Sequence, residues 1–203
     1  MVIVHEVKQG SEAWHKLRDK LYTGADSDKL LDHNRKIKII DGVIMGYGQN
    51  VASNFTGNFY TERGHILEDQ AIDLYIRLTG HEVIRPGFVT NTKYPHCGYS
   101  PDAFDVTLDI PLEVKAFNKK KHLAMYYGEI PLKVQSQSFY GQHIWEKKRG
   151  RLIIYNPDFA KKELTDGSVN PDYNPKLAIK IIDLKTTRGI TANFHKKLSE
   201  AFV

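Results

Sequence analysis

Apolar positions along the chain alternate between strand-like and helical periods. Val2 to Val7 is a short strand-like run, and a helix follows with Ser11 as its N-cap and Ala13, Trp14, Leu17 and Leu21 at helical spacing. Arg18 lies four residues after Trp14, on the same side of that helix. From Asp32 to Thr61 the pattern weakens, because Gly42, Gly46, Gly48 and Gly57 punctuate Ile37, Ile39, Ile40, Val43 and Ile44. The expectation there is an irregular loop with a hairpin. Periodicity returns at His65 to Leu78, where Leu67, Ala71, Leu74 and Leu78 share one narrow sector and Gly80 stands just past the end. Glu68 sits at the border of that sector beside Tyr75, whereas Asp69 and Asp73 point away, so Glu68 is the acid expected to be partly buried.

Three strand-like runs come next, His81 to Thr90, His96 to Asp105 and Ile110 to Phe117, separated by Pro86-Gly87, Tyr94-Pro95 and Asp109. They read as a meander, with Pro111 weakening the start of the third. A basic run, Lys119-Lys120-Lys121-His122, leads to a helix from Pro131 to Glu146, with proline at a first helical position. Arg151 to Tyr155 reads as a strand, Lys161 to Pro175 as a polar loop, Leu177 to Leu184 as a strand and Thr191 to Phe202 as a closing helix. This order predicts an α/β or α+β protein, organised as one domain over residues 1–203.

Composition narrows the function classes. Hydrophobic residues make up 41% of the 203 positions, enough to repay the ordering of one core and too many for a wholly disordered chain. No apolar run approaches the ~20 residues that span a bilayer, and the start of the chain lacks the basic segment of a signal peptide, so no membrane partner and a cytoplasmic location are expected. Lys and Arg outnumber Asp and Glu 29 to 24, a modest net charge of +5. Basic clusters at Lys119 to Lys121, Lys147-Lys148-Arg149-Arg151 and Lys196-Lys197 are either solvated faces or tracks for a nucleic-acid backbone. A single cysteine, Cys97, excludes an intrachain disulfide and any thiolate cluster, leaving oxygen or imidazole to hold a metal.

The stretch with most chemistry is Ser100-Pro101-Asp102 followed by Glu113-Val114-Lys115. Residues two apart in a strand face the same side, so Glu113 and Lys115 project together, and pairing of the two strands brings Asp102 to them. Two carboxylates beside a lysine suit a hard divalent cation such as Mg²⁺ and the hydrolysis of a phosphodiester. An acid, any residue and a lysine also occurs at Glu6/Lys8, Glu146/Lys148 and Asp183/Lys185, so the pattern alone is weak. The central occurrence differs in its apolar strand, Ile110, Leu112, Val114, Ala116 and Phe117, where a charge needs a reason. In the helix from Pro131, Gln135, Ser138 and Gln142 share one face, which is either a solvated face or a polar stripe turned to a water-filled site. Trp145 and the tyrosines read as core.

In order, Gly10-Ser11-Glu12-Ala13-Trp14-His15-Lys16-Leu17-Arg18, Glu62-Arg63-Gly64-His65-Ile66-Leu67-Glu68, Ser100-Pro101-Asp102, Glu113-Val114-Lys115 and Gln135-Ser136-Gln137 resemble the motifs of the lambda exonuclease and YqaJ-type viral recombinase family, within the PD-(D/E)xK nuclease superfamily. The resemblance implies a restriction-endonuclease-like core, a central mixed sheet flanked by helices. It further implies a Mg²⁺-dependent exonuclease, with Mn²⁺ substituting, that digests one strand of linear double-stranded DNA from its 5′ end and leaves a 3′ tail for a phage single-strand annealing protein. A homotrimer threaded by DNA is the assembly it implies. Asp102, Glu113, the Val114 carbonyl and Glu68 inherit metal-binding roles, Lys115 the water-activating role, and Gln135, the first glutamine of its motif, that of the active-site glutamine, with the helix register against Gln137 left open by the short spacing from Lys115. Arg18 inherits the grip on the 5′-phosphate. The chain departs from the pattern at Thr23-Gly24-Ala25, where Ala25 replaces a hydroxyl residue, so Thr23 or Ser27 is expected to complete that pocket, and at Leu132, which stands where a tyrosine is usual. A metal-dependent endonuclease on the same core and a silent DNA-end binding module are the alternatives.

Overall fold

The computed structural model describes residues 1–25, 27–31, 37–45 and 59–202, the side chains of 59–63 excepted. A mixed five-stranded sheet organises them. Its order is β10 (Ile179–Lys185), β9 (Arg149–Tyr155), β8 (Ile110–Ala116), β7 (Ala103–Asp105) and β4 (Val83–Ile84), antiparallel throughout except for the parallel pair β8 and β9. A parallel neighbour needs a crossover, here α3 (Lys119–Tyr127) and α4 (Leu132–Ile144). A second sheet has β5 (Phe88–Asn91) between β1 (Val2–His5) and β6 (Gly98–Tyr99), antiparallel to both.

Alternation along β9 sorts the core into two layers. Leu152 and Ile154 pack with Phe139, Tyr140 and Ile144 of α4 and Phe194 and Leu198 of α5 (Arg188–Glu200). Ile153 and Tyr155 pack with Leu112 and Val114 of β8 and with Ala71, Ile72 and Tyr75 of α2 (Phe59–Thr79). Helices therefore cover both faces of the sheet. In register, Glu113 lies opposite Leu152 and Lys115 opposite Ile154, so both charged residues face the α4 layer.

The structure departs from the expected elements in three places. The first helix, α1 (Glu12–Arg18), is capped by Ser11 but stops before Leu21, because Lys20 takes a left-handed φ of 59° and Tyr22 leaves to bridge Cys97. The meander is split between two sheets: Pro86-Gly87 separates β4 from β5, and Ser100-Pro101 separates β6 from β7. A Cβ on Gly87 would lie 1.9 Å from the Val7 carbonyl oxygen, a contact that only glycine permits. The basic run at Lys119 opens a helix of its own, α3, capped by the Asn118 side chain. In the weak stretch, β2 (Lys38–Ile40) and β3 (Val43–Met45) form the expected hairpin across Asp41-Gly42, both at positive φ as a type I′ turn requires. Residues 32–36 and 46–58 of that stretch lie outside the described residues.

No helix among the described residues is long and apolar enough to cross a membrane. Trp145 is core, its ring 4.5 Å from that of Phe104.

Candidate active site

Glu113 and Lys115 meet on the α4 face of β8. Lys115 Nζ donates to Glu113 Oε1 at 2.7 Å and to Gln137 Oε1 of α4 at 2.9 Å. Glu113 is 1% exposed, and its second oxygen accepts from the Tyr99 hydroxyl at 3.0 Å. A buried carboxylate is tolerated only with such partners. Asp102 sits at the turn into β7, where its Oδ2 accepts the Val114 N–H at 2.6 Å, so the two motifs are joined by one charge-assisted bond.

The charges are crowded. Burial pushes the Asp102 carboxyl well above the usual carboxylate range, and the Glu113 and Glu68 carboxylates push it further, against Lys115 and the Val114 N–H. Burial pulls the Lys115 amine down, but Glu113, Asp102 and Glu68 outweigh it and hold the amine above its ordinary value. Glu68, half-buried on α2, pairs with His65 Nδ1 at 3.3 Å. Among the described residues no three His, Cys, Asp or Glu side chains stand together as a ready-made metal cage. Two carboxylates with a nearby third acid and a backbone carbonyl match a Mg²⁺-type ion, which keeps its waters and takes further oxygens from substrate phosphate.

Tyr99, which no motif singled out, is held by packing. A Cβ built on Gly141 of α4 would lie 2.2 Å from the Tyr99 ring, so the ring rests directly on that glycine. Nothing along the chain marks a tyrosine on β6 as the partner of an acid on β8, since the two belong to different sheets.

Of the two glutamines, the structure brings Gln137 to Lys115, while Gln135 Nε2 donates to the Ile130 carbonyl at 2.6 Å. The stripe of Gln135, Ser138 and Gln142 is not a solvated face, since Gln135 is half-buried and Ser138 buried, and none of the three is bonded to Lys115 or the acids beside it. Gln142 is 0% exposed, donating to Ser138 and accepting from Thr186.

Arg18 ends α1, a helix tied to the turn before Asp102. Its guanidinium lies 4.0 Å from the Trp14 ring centre and donates weakly to Thr23 Oγ1 at 3.4 Å, and burial pulls its pKa below the ordinary value. The Trp14 indole donates to Ser100 Oγ at 3.1 Å, and Gln9 Nε2 donates to the Pro101 carbonyl at 2.7 Å. Thr23 thus stands beside Arg18, but Ser27 does not serve as expected: it is 1% exposed and donates to Ser136 Oγ at 3.1 Å, leaving no surface for a phosphate.

A family model described as the YqaJ-like viral recombinase domain matches residues 13–145, more than half of the chain. The chain belongs to that family. Its fold is similar to that of an alkaline exonuclease, LHK-Exo, from Laribacter hongkongensis, with a TM-score of 0.67 at 15% identity over 93% of this chain and 89% of that one, both alone and in complex with dAMP. A phage-related exonuclease from Haemophilus somnus 129PT aligns with a TM-score of 0.55 at 14% identity over 91% and 93%. No curated protein matches the sequence. The mixed sheet with helices on both faces is the fold shared with these exonuclease structures, the core that the motif resemblance implies.

Proposed function

We propose that the protein is a Mg²⁺-dependent exonuclease that digests one strand of linear duplex DNA from its 5′ end and leaves a 3′ single-stranded tail for annealing-type recombination. The observation that carries this reading is the Lys115 ammonium held between Glu113 and Gln137, with Asp102 bonded to the Val114 N–H beside it. Membership of a viral recombinase family and the likeness to two exonuclease folds support a phosphodiester of DNA as the substrate.

Asp102 and Glu113, with the Val114 carbonyl and Glu68, are the oxygen donors for Mg²⁺, and Mn²⁺ is expected to substitute. A bound divalent cation supplies charge stabilisation on the phosphate oxygens. Lys115 has three N–H donors and gives two to Glu113 and Gln137, so the third is free to orient the attacking water. Gln137 accepts from the ammonium and fixes its direction. Tyr99 donates to Glu113 and keeps that carboxylate on the strand face. The partly desolvated Arg18 guanidinium, flanked by Trp14 and Thr23, is the fork for a terminal 5′-phosphate. A homotrimer and a phage annealing protein complete the reading on family grounds.

The test is a blunt linear duplex in Mg²⁺ with a 5′-phosphate on one strand and a 5′-hydroxyl on the other, each labelled at its 3′ end. The expected result is loss of the phosphorylated strand from its 5′ end, abolished by EDTA. Cleavage of closed circular duplex instead points to an endonuclease, and binding without cleavage points to an end-binding module; either overturns the reading.

A further inference from the structure

We infer that the cavity between the C-terminal end of α4 and the N-terminal end of α5 is a second phosphate site, which holds the DNA backbone away from the catalytic lysine. This rests on the nuclease reading and deepens it. The cavity has a volume of about 800 Å³, and its wall carries Lys93, Lys147, Lys148, Lys185 and Arg188 against one carboxylate, Glu146. Glu146 is taken by Lys93, and Lys147 is paired with Asp109. Lys148, Lys185 and Arg188 have no ion pair among the described residues. Three uncompensated cations around one concave wall focus a positive potential there.

The cations are fixed by the fold. Lys185 ends β10 opposite Arg149, and the Thr186 N–H donates to the Lys148 carbonyl at 3.1 Å, so Lys148 and Lys185 spring from tied backbones. Thr186 is also bonded to the buried Gln142. Arg188 opens α5, behind the Thr187 cap that accepts from the Ile190 N–H, so the positive end of a 13-residue helix borders the same space.

His143 lines the cavity at 8% exposure, and its Nε2 has no hydrogen-bond partner. Its ring packs against those of Tyr94 and Phe194, so it forms part of the floor beneath the cations. Burial keeps the ring neutral near pH 7, so the positive charge of the wall comes from the lysines and Arg188.

Position favours a nucleic-acid strand over a small anion. Lys115 pairs with Ile154, five residues along β9 from Arg149 at the cavity end. At about 3.3 Å per residue that separation is about 16 Å, or about five phosphate steps along one strand.

The measurement is duplex binding by the full chain in EDTA over a series of salt concentrations, for the wild type and the triple variant Lys148→Ala, Lys185→Ala, Arg188→Ala. For a 5′-phosphorylated 20-base-pair duplex, the slope of log K against log salt is expected to fall by about 2 to 3, with at least a tenfold loss of affinity. A hairpin with a four-base-pair stem is too short to reach both sites and is expected to bind both proteins equally. The variant Lys148→Arg, Lys185→Arg is expected to retain the wild-type slope, which separates lost charge from lost folding. Unchanged slope and affinity in the triple variant overturn the site. Thermal stabilisation of the wild type alone by inorganic phosphate or dAMP, with duplex affinity unchanged, overturns the DNA assignment in favour of a small phosphate. Because binding is read without catalysis, absence of cleavage in Mg²⁺ with this salt dependence intact sinks the nuclease reading and spares the site.

Discussion

The indole of Trp14 donates to Ser100 Oγ at 3.1 Å across 86 residues of chain. The same ring carries the Arg18 guanidinium on its face. One side chain therefore joins the proposed phosphate grip to the turn that presents Asp102. Trp14→Phe keeps a ring under Arg18 and removes the tie. It is expected to cost about 1 kcal/mol of stability and to raise KM for 5′-phosphorylated ends several-fold, with kcat little changed. Equal effects on phosphorylated and hydroxyl ends would separate Trp14 from phosphate recognition.

Lys115→Ala is expected to abolish cleavage while duplex binding in EDTA persists. Gln137→Ala should lower kcat roughly 10- to 100-fold, the usual cost of losing a group that orients an active-site ligand. Gln135→Ala should leave kcat within about twofold, since its amide serves only the Ile130 carbonyl. Single-turnover rates of the three variants decide the assignment, and a larger loss for Gln135→Ala would reverse it.

Gly141→Ala drives a methyl group into the Tyr99 ring, and overpacking of this kind costs about 1–3 kcal/mol. Because Tyr99 holds Glu113, activity should fall together with stability. In a Tyr99→Phe background the added effect of Gly141→Ala on cleavage should shrink, which a double-mutant cycle measures.

On the α2 side, Asp105 is fully buried and accepts from Tyr75, His81 Nδ1 and the Leu108 N–H, and Arg151 donates to the Tyr75 hydroxyl and to Asp183. Burial pushes the Asp105 carboxyl up, but these donors hold it below its ordinary value. Asp105→Ala is expected to cost about 3–5 kcal/mol by stranding buried donors. Well below its melting temperature the variant should cleave at near the wild-type rate, the mark of a purely structural network.

Burial lowers the His143 pKa from 6.5 to about 4. Between those values the unfolded chain binds a proton that the folded chain refuses, so stability rises with pH through the window and is lost as pH falls from 6.5 toward 4. His143 contributes at most about 3 kcal/mol to that slope, and the buried His122 acts in the same direction. His143→Phe should flatten the change in urea midpoint between pH 4 and 7 without DNA; an unchanged slope would assign it elsewhere.

What the chain reveals on inspection follows from how local its physics is. The long α2 stripe, the α4 segment and the runs of β8 and β9 were legible because one period dominates each. Glu113 and Lys115 on one face followed from strand geometry, and the partly buried Glu68 from the helical wheel. α3 was missed because Lys119 to Lys121 hide its apolar contacts and its cap lies in Asn118. Two sheets took the place of a meander because Val7 crosses against Gly87, a contact between distant segments. Gln137 over Gln135, the hidden Ser27 and the Tyr99 bond all depend on how α4 is rotated on the sheets, which spacing along the chain does not encode.

α1 has seven residues and buries none of them. A helix of that length is marginal on its own and depends on its docking contacts, so its amides should exchange with solvent far sooner than those of β8 and β9. The groups proposed for hydrolysis, from Tyr99 to Gln137, do not depend on it for their mutual bonds. On the proposed reading, transient undocking of α1 would slacken the hold on a DNA end while the groups around Lys115 stay assembled, letting the duplex advance between successive cuts.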